Sequence, residues 1–121
     1  GEGFAMFAIG TRAASAAVML IVLASGFADA ADIQVKIDNF TFNPQRVTVK
    51  VGDTVTWLNE DDIPHTVRAT AGDFKSKALD TGDRYAFTFT KAGSYDYFCS
   101  LHPHMTGHIV VESVGGASAT P

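Results

Sequence analysis

From residue 31 onward the chain alternates apolar and polar residues in short runs, and that period of two leaves little choice of fold. The stretches 33–38 (IQVKID), 46–51 (RVTVKV), 54–57 (TVTW), 85–90 (YAFTFT), 95–99 (YDYFC) and 107–112 (GHIVVE) each send every second side chain to one face. Successive strand residues point to opposite sides of a sheet, so each run has one face to bury and one to wet. Turn residues interrupt the runs at 39–44 (NFTFNP), Gly52-Asp53, 59–64 (NEDDIP) and Lys91-Ala92-Gly93. The expected fold is all-β, an antiparallel β-sandwich of about seven or eight strands. Its core would be Val35, Ile37, Val47, Val49, Val55, Trp57, Phe87, Phe89, Tyr95, Tyr97, Ile109 and Val111. A short strand is expected at 65–68. Residues 71–82 (AGDFKSKALDTG) are the least regular, with room for one helical turn.

The first 30 residues read differently. An uncharged run covers 13–28 (AASAAVMLIVLASGFA), Arg12 stands before it, and Ala28-Asp29-Ala30 closes it with small residues. That order is the pattern of an export leader, with cleavage expected after Ala30 and Met6 as the candidate start. The run falls short of the about 20 apolar residues that a membrane span needs, so a retained anchor is the lesser reading. The expected organisation is a signal peptide at 1–30, one domain at 31–114 and a flexible tail at 115–121. Removing Arg12, Glu2 and Asp29 from the 9 basic and 13 acidic residues leaves 8 and 11, a net charge of −3. The remaining lysines and arginines are scattered singly, which excludes a nucleic-acid partner.

An exported domain of this size is often stapled by disulfides, yet the chain has one cysteine. A lone thiol in an oxidising compartment needs some other partner. Cys99 lies in 97–105 (YFCSLHPHM), close to His102, His104 and Met105. A nucleophilic role would need an orienting carboxylate and an oxyanion hole, and neither pattern is nearby. Thiolate, imidazole and thioether together form a soft donor set, which suits copper better than structural zinc. Two histidines and a cysteine with a distant methionine form the blue-copper arrangement. Cys99, His102 and Met105 supply three of these groups. The second histidine is then His65 or His108, with His65 favoured because it follows a loop at a strand mouth. Zinc on His65, Cys99, His102 and His104 or His108 is a weaker option.

The stretches 49–67 (VKVGDTVTWLNEDDIPHTV), 91–105 (KAGSYDYFCSLHPHM) and 107–112 resemble the cupredoxins, small blue copper proteins that include plastocyanin, pseudoazurin and amicyanin. The spacing Cys-x-x-His-x-x-Met is similar to the short amicyanin-type loop. This resemblance implies a Greek-key sandwich holding one type 1 copper ion on His65, Cys99, His102 and Met105. It implies a bracing role for Asn59 and Ser100, hydrogen-bonded to each other so as to tie the two ligand loops together. It further implies an apolar docking patch of Ile63, Pro64, Leu101 and Pro103 around the His102 ring. His104 keeps two readings, an exposed loop histidine or a docking residue whose charge changes near neutral pH. Glu60-Asp61-Asp62 is either a solvated loop or a negative patch that favours copper(II) and steers basic partners. The implied activity is one-electron carriage, without enzymatic turnover, by an exported, periplasmic monomer. Its implied partners are redox proteins that dock transiently, of the dehydrogenase and c-type cytochrome kind. A copper carrier or chaperone is the alternative.

Overall fold

The structure is a computed structural model and describes residues 30–114. Residues 1–29 of the expected leader and the tail at 115–121 lie outside the described residues. Eight strands form: β1 Asp32–Asp38, β2 Thr41–Asn43, β3 Arg46–Lys50, β4 Thr54–Asn59, β5 Arg68–Ala69, β6 Arg84–Thr88, β7 Gly93–Cys99 and β8 His102–Glu112. They make two four-stranded sheets, ordered β2-β1-β4-β6 and β3-β8-β7-β5. The sandwich expected from the alternation is present, and both sheets are mixed. β1 runs parallel to β4 and β3 parallel to β8, while the other neighbours are antiparallel. The parallel pairs arise because the chain visits the opposite sheet between their members, passing through β3 before it reaches β4. Alternation is blind to this, since a strand's two faces are the same in either direction.

The apolar faces meet as the periodicity requires, and Val35, Ile37, Val55, Trp57, Tyr97 and Ile109 are completely buried. Phe87 and Tyr95, expected in the core, are only partly covered and pack against it. Phe87 lies on β6, an edge strand with one side open. Tyr97 faces Gly107 across the β7–β8 ladder, and a Cβ there would stand 2.1 Å from its Cζ. Only glycine leaves room for that ring.

Residues 71–82 contain no helical turn. They return against the loop after β4 through the bridges His65↔Leu79 and Arg68↔Lys75, and place Phe74 and Leu79 in the core. The expected strand at 65–68 is correspondingly reduced to the His65 bridge and the short β5. Residues 39–44, read as a break, hold a tight hairpin into β2. Asn39 and Phe40 are its two loop residues, both left-handed, with φ of 52° and 58°. Among the described residues no helix is long and apolar enough to cross a membrane.

Candidate metal centre

Three chain segments converge at one end of the sandwich. β7 ends on Cys99, and a two-residue turn through Ser100 and Leu101 returns the chain to His102 at the start of β8. The register shifts between Phe98 and Cys99. Irregularities of this kind re-aim side chains at the ends of sheets. Here the shift accompanies a ligand segment that leaves β7 and re-enters the sheet at once. The sequence suggested a longer loop, with the last strand beginning at Gly107. His65 arrives from the loop after β4 and is pinned by its bridge to Leu79, with backbone bonds of 3.1 and 2.7 Å.

The donor atoms of His65, Cys99 and His102 lie within 4.8 Å of one another. Both Nδ1 atoms stand 3.7 Å from Cys99 Sγ. His65 and Cys99 are wholly buried, Met105 is 4% exposed, and His102 is half-buried. The backbone N–H of Thr66 donates to Sγ at 3.3 Å. Burial pushes the Cys99 thiol up. The Thr66 N–H, both imidazoles and the Leu101 N–H outweigh burial and bring it down to about 6. The cysteine is therefore poised as a thiolate, the form that binds metal. Thiolate flanked by two imidazole nitrogens, with a buried thioether on the neighbouring strand, is a soft donor set that fits copper.

The outer contacts differ from those expected. Asn59 and Ser100 do not bond to each other. Asn59 Nδ2 donates to the Ile63 and Leu79 carbonyls at 2.9 and 2.8 Å, and its Oδ1 accepts the Asp61 N–H at 2.9 Å. Asn59 ends β4 on the buried face, so its side chain braces the loop that follows it. The tie between ligand segments is Thr66, the residue after His65. Its Oγ1 accepts the Ser100 N–H at 2.7 Å and lies 2.8 Å from Ser100 Oγ. Strand-end geometry decides this, because Thr66 faces the turn after Cys99 while Asn59 faces inward.

The acid run divides. Glu60 is exposed and 4.0 Å from Lys36, and Asp62 is exposed. Asp61 turns inward, with its side chain 12% exposed, and accepts from His65 Nε2 at 2.9 Å. That bond and the Phe40 N–H hold its carboxyl below the usual range. It also orients the His65 ring, with Nδ1 turned toward the Cys99 sulfur. Sequence reasoning treated the three acids as one unit, a solvated loop or a negative patch, and did not single out Asp61.

Of the residues expected in the docking patch, Pro64, Leu101, Pro103 and His104 are exposed and Ile63 is partly covered, and the His102 ring is half-buried. Phe40, absent from the expected patch, is 48% exposed. Its ring stands edge-on to His102 and His65, at centroid distances of 5.0 and 5.5 Å. An aromatic at the tip of an unexplained break was the available signal. His104 lines a shallow cleft with Phe40, Gln45 and Met105. His108, the alternative ligand, is outside the donor cluster and pairs with Asp96 across β7 and β8.

A mixed eight-stranded sandwich with this donor set at one end has the architecture of a small metal-binding redox domain. The chain belongs to the cupredoxin-like family, whose domain model matches residues 7–111. It is 37% identical over 118 residues to the amicyanin of Paracoccus versutus, covering 89% of each chain. It is 34% identical over 100 residues to the chloroplastic plastocyanin of Tetradesmus obliquus, covering 70% of this chain and 69% of that one. The solved Cu(I) form of an amicyanin variant superposes with a TM-score of 0.63 at 41% identity, covering 74% of this chain and 89% of that one.

Proposed function

We propose that this chain is a blue copper one-electron carrier, with copper held by His65, Cys99, His102 and Met105. The observation that carries the reading is the buried Cys99 sulfur, 3.7 Å from two imidazole Nδ1 atoms and accepting the Thr66 N–H. When bound, copper supplies the one-electron couple Cu(II)/Cu(I). The chain's residues do the rest. Burial of His65, Cys99 and Met105 keeps water from the donors. The Thr66 N–H draws charge from the sulfur, and hydrogen bonding at this sulfur tunes the potential. The Thr66–Ser100 tie and the Asn59 brace hold the ligand segments at a fixed spacing, so that little rearranges when charge changes. His102, the half-buried ligand, brings its ring to the surface, and we assign electron exit to it.

Ile63, Pro64, Leu101, Pro103 and His104 form the docking surface, with Phe40 added. Such a small, largely apolar patch suits redox protein partners that bind and leave quickly, with the carrier a monomer. The leader pattern at 1–30 supports a periplasmic site of action, and a mature N-terminus at Ala31 would test it.

Addition of Cu(II) to the metal-free protein should produce an intense blue thiolate-to-copper band. Cys99→Ser should abolish that band. A colourless wild type, or a band that survives in Cys99→Ser, would overturn the reading. Rapid reversible electron exchange without copper loss is expected; copper handed to an acceptor protein would make the chain a metal carrier instead.

A further inference from the structure

The hairpin after β1, the loop after β4 and a candidate ligand meet at one atom. Asp61 Oδ2 accepts from His65 Nε2 at 2.9 Å and from the backbone N–H of Phe40 at 3.1 Å. The backbone of Asp61 is itself anchored on both sides. Its N–H donates to Asn59 Oδ1 at 2.9 Å, and its carbonyl accepts from Thr81 Oγ1 at 2.6 Å. The carboxylate is therefore presented from a fixed position to two donors in different segments.

What it holds is a costly turn. Two-residue hairpin loops with both residues left-handed favour Asn-Gly, and here the second place carries phenylalanine at φ 58°. A bulky residue resists that backbone, and such strain persists only where surrounding contacts enforce it. The outcome is an aromatic edge set against both ligand imidazoles while half of its surface faces solvent. A glycine at this point would relieve the backbone and leave the rings uncovered.

We propose that Asp61 is a positioning residue that couples the docking surface to the metal site. One carboxylate oxygen both orients the His65 imidazole and seats Phe40 over the two ligand rings, so a partner's contact on Phe40 is felt at His65. This rests on the electron-carrier reading above. A solvated acid would do neither, and a brace acting on the histidine alone would leave Phe40 independent of it.

Asp61→Asn keeps an acceptor at the same position without the charge, and Asp61→Ala removes it. Hydrogen exchange of the Phe40 amide should be about tenfold faster or more in Asp61→Ala, the size expected for losing a charge-assisted bond. Asp61→Asn should restore most of the protection. In Phe40→Ala, an exposed substitution that spares the fold, solvent exchange of the His65 Nε2–H should quicken. Each measurement is made on the full chain, metal-free and again loaded with Cu(I). In the copper-loaded protein the reduction potential should rise in both Asp61 variants, because a negative charge beside a ligand has gone. Unchanged Phe40 exchange in Asp61→Ala, or unchanged His65 exchange in Phe40→Ala, would overturn the coupling. The metal-free measurements do not depend on copper, so a protein that fails to turn blue would refute the carrier reading while the exchange rates still decide whether Asp61 links Phe40 to His65.

Discussion

The two ends of β4 carry the same device for different purposes. Where the strand begins, Asp53 accepts the backbone N–H groups of Ala31 and Lys50, both at 2.9 Å. Where it ends, Asp61 also accepts two donors, one of them the side chain of a ligand histidine. The first aspartate closes chain onto chain at the edges of β1 and β3, beside a glycine at φ 100° that makes the turn without strain. The second gives up one backbone partner to hold chemistry, and the hairpin beside it contains no glycine. Buried polar side chains follow much the same division. Asn59, His65 and Thr66 gather at the site end, Ser76 accepts the Val67 N–H just beyond them, and Asp53 stands at the other end. The site end is therefore expected to be the more costly to build and the more sensitive to small changes, since each buried polar group depends on a specific partner.

A substitution between the two ends should have the largest effect and favour neither. Gly107→Ala pushes a methyl group into the Tyr97 ring in the middle of the β7–β8 ladder. A loss of about 3 kcal/mol or more is expected from such overpacking, read by denaturant unfolding. Protein that stays folded should still bind copper. A smaller effect confined to the site end would instead show that β8 moves independently there.

Next comes Thr66→Val, which keeps the N–H on Cys99 and removes the hydroxyl that accepts from Ser100. It should cost about 0.5–1.5 kcal/mol, as for the loss of one part-buried hydrogen bond, and it should speed copper release. Stability loss with unchanged release would reduce Thr66 to a structural tie.

The corresponding change at the far end is Asp53→Asn. The Ala31 and Lys50 N–H groups hold the Asp53 carboxyl below its ordinary value of 3.8. A carboxyl lowered on folding adds stability above its unfolded value, and that stability is lost as pH falls through the folded one. The variant should therefore melt below the wild type at neutral pH, with the gap closing as pH drops below 3.8. Its blue band should not move. A shifted band would break the division between the ends.

Smallest of all is Lys36→Ala, which removes an exposed pair 4.0 Å from Glu60. A change within about 0.5 kcal/mol is expected in thermal unfolding, as for other surface pairs. A larger one would mean that the outer acids contribute more than solvation.

Period-two alternation was enough to determine an all-β sandwich and most of its core, because facing inward or outward is a property of neighbouring residues on one strand. Local spacing also marked Cys99, His102 and Met105, which sit on one short segment and need no fold to bring them near each other. His65 could be chosen over His108 because a loop preceded it, and the structure brings it to the cysteine. The remaining features were settled between distant segments. Parallel pairing, the return of 71–82 onto the loop after β4, the Thr66–Ser100 tie and the meeting of Phe40 with Asp61 all depend on which strand ends lie side by side. Asn59 and Thr66 are equally plausible braces in one dimension. Only the packed sandwich turns one inward to the Leu79 carbonyl and the other across to the Ser100 amide, because a hydrogen bond is decided by direction and distance in space and not by separation along the chain.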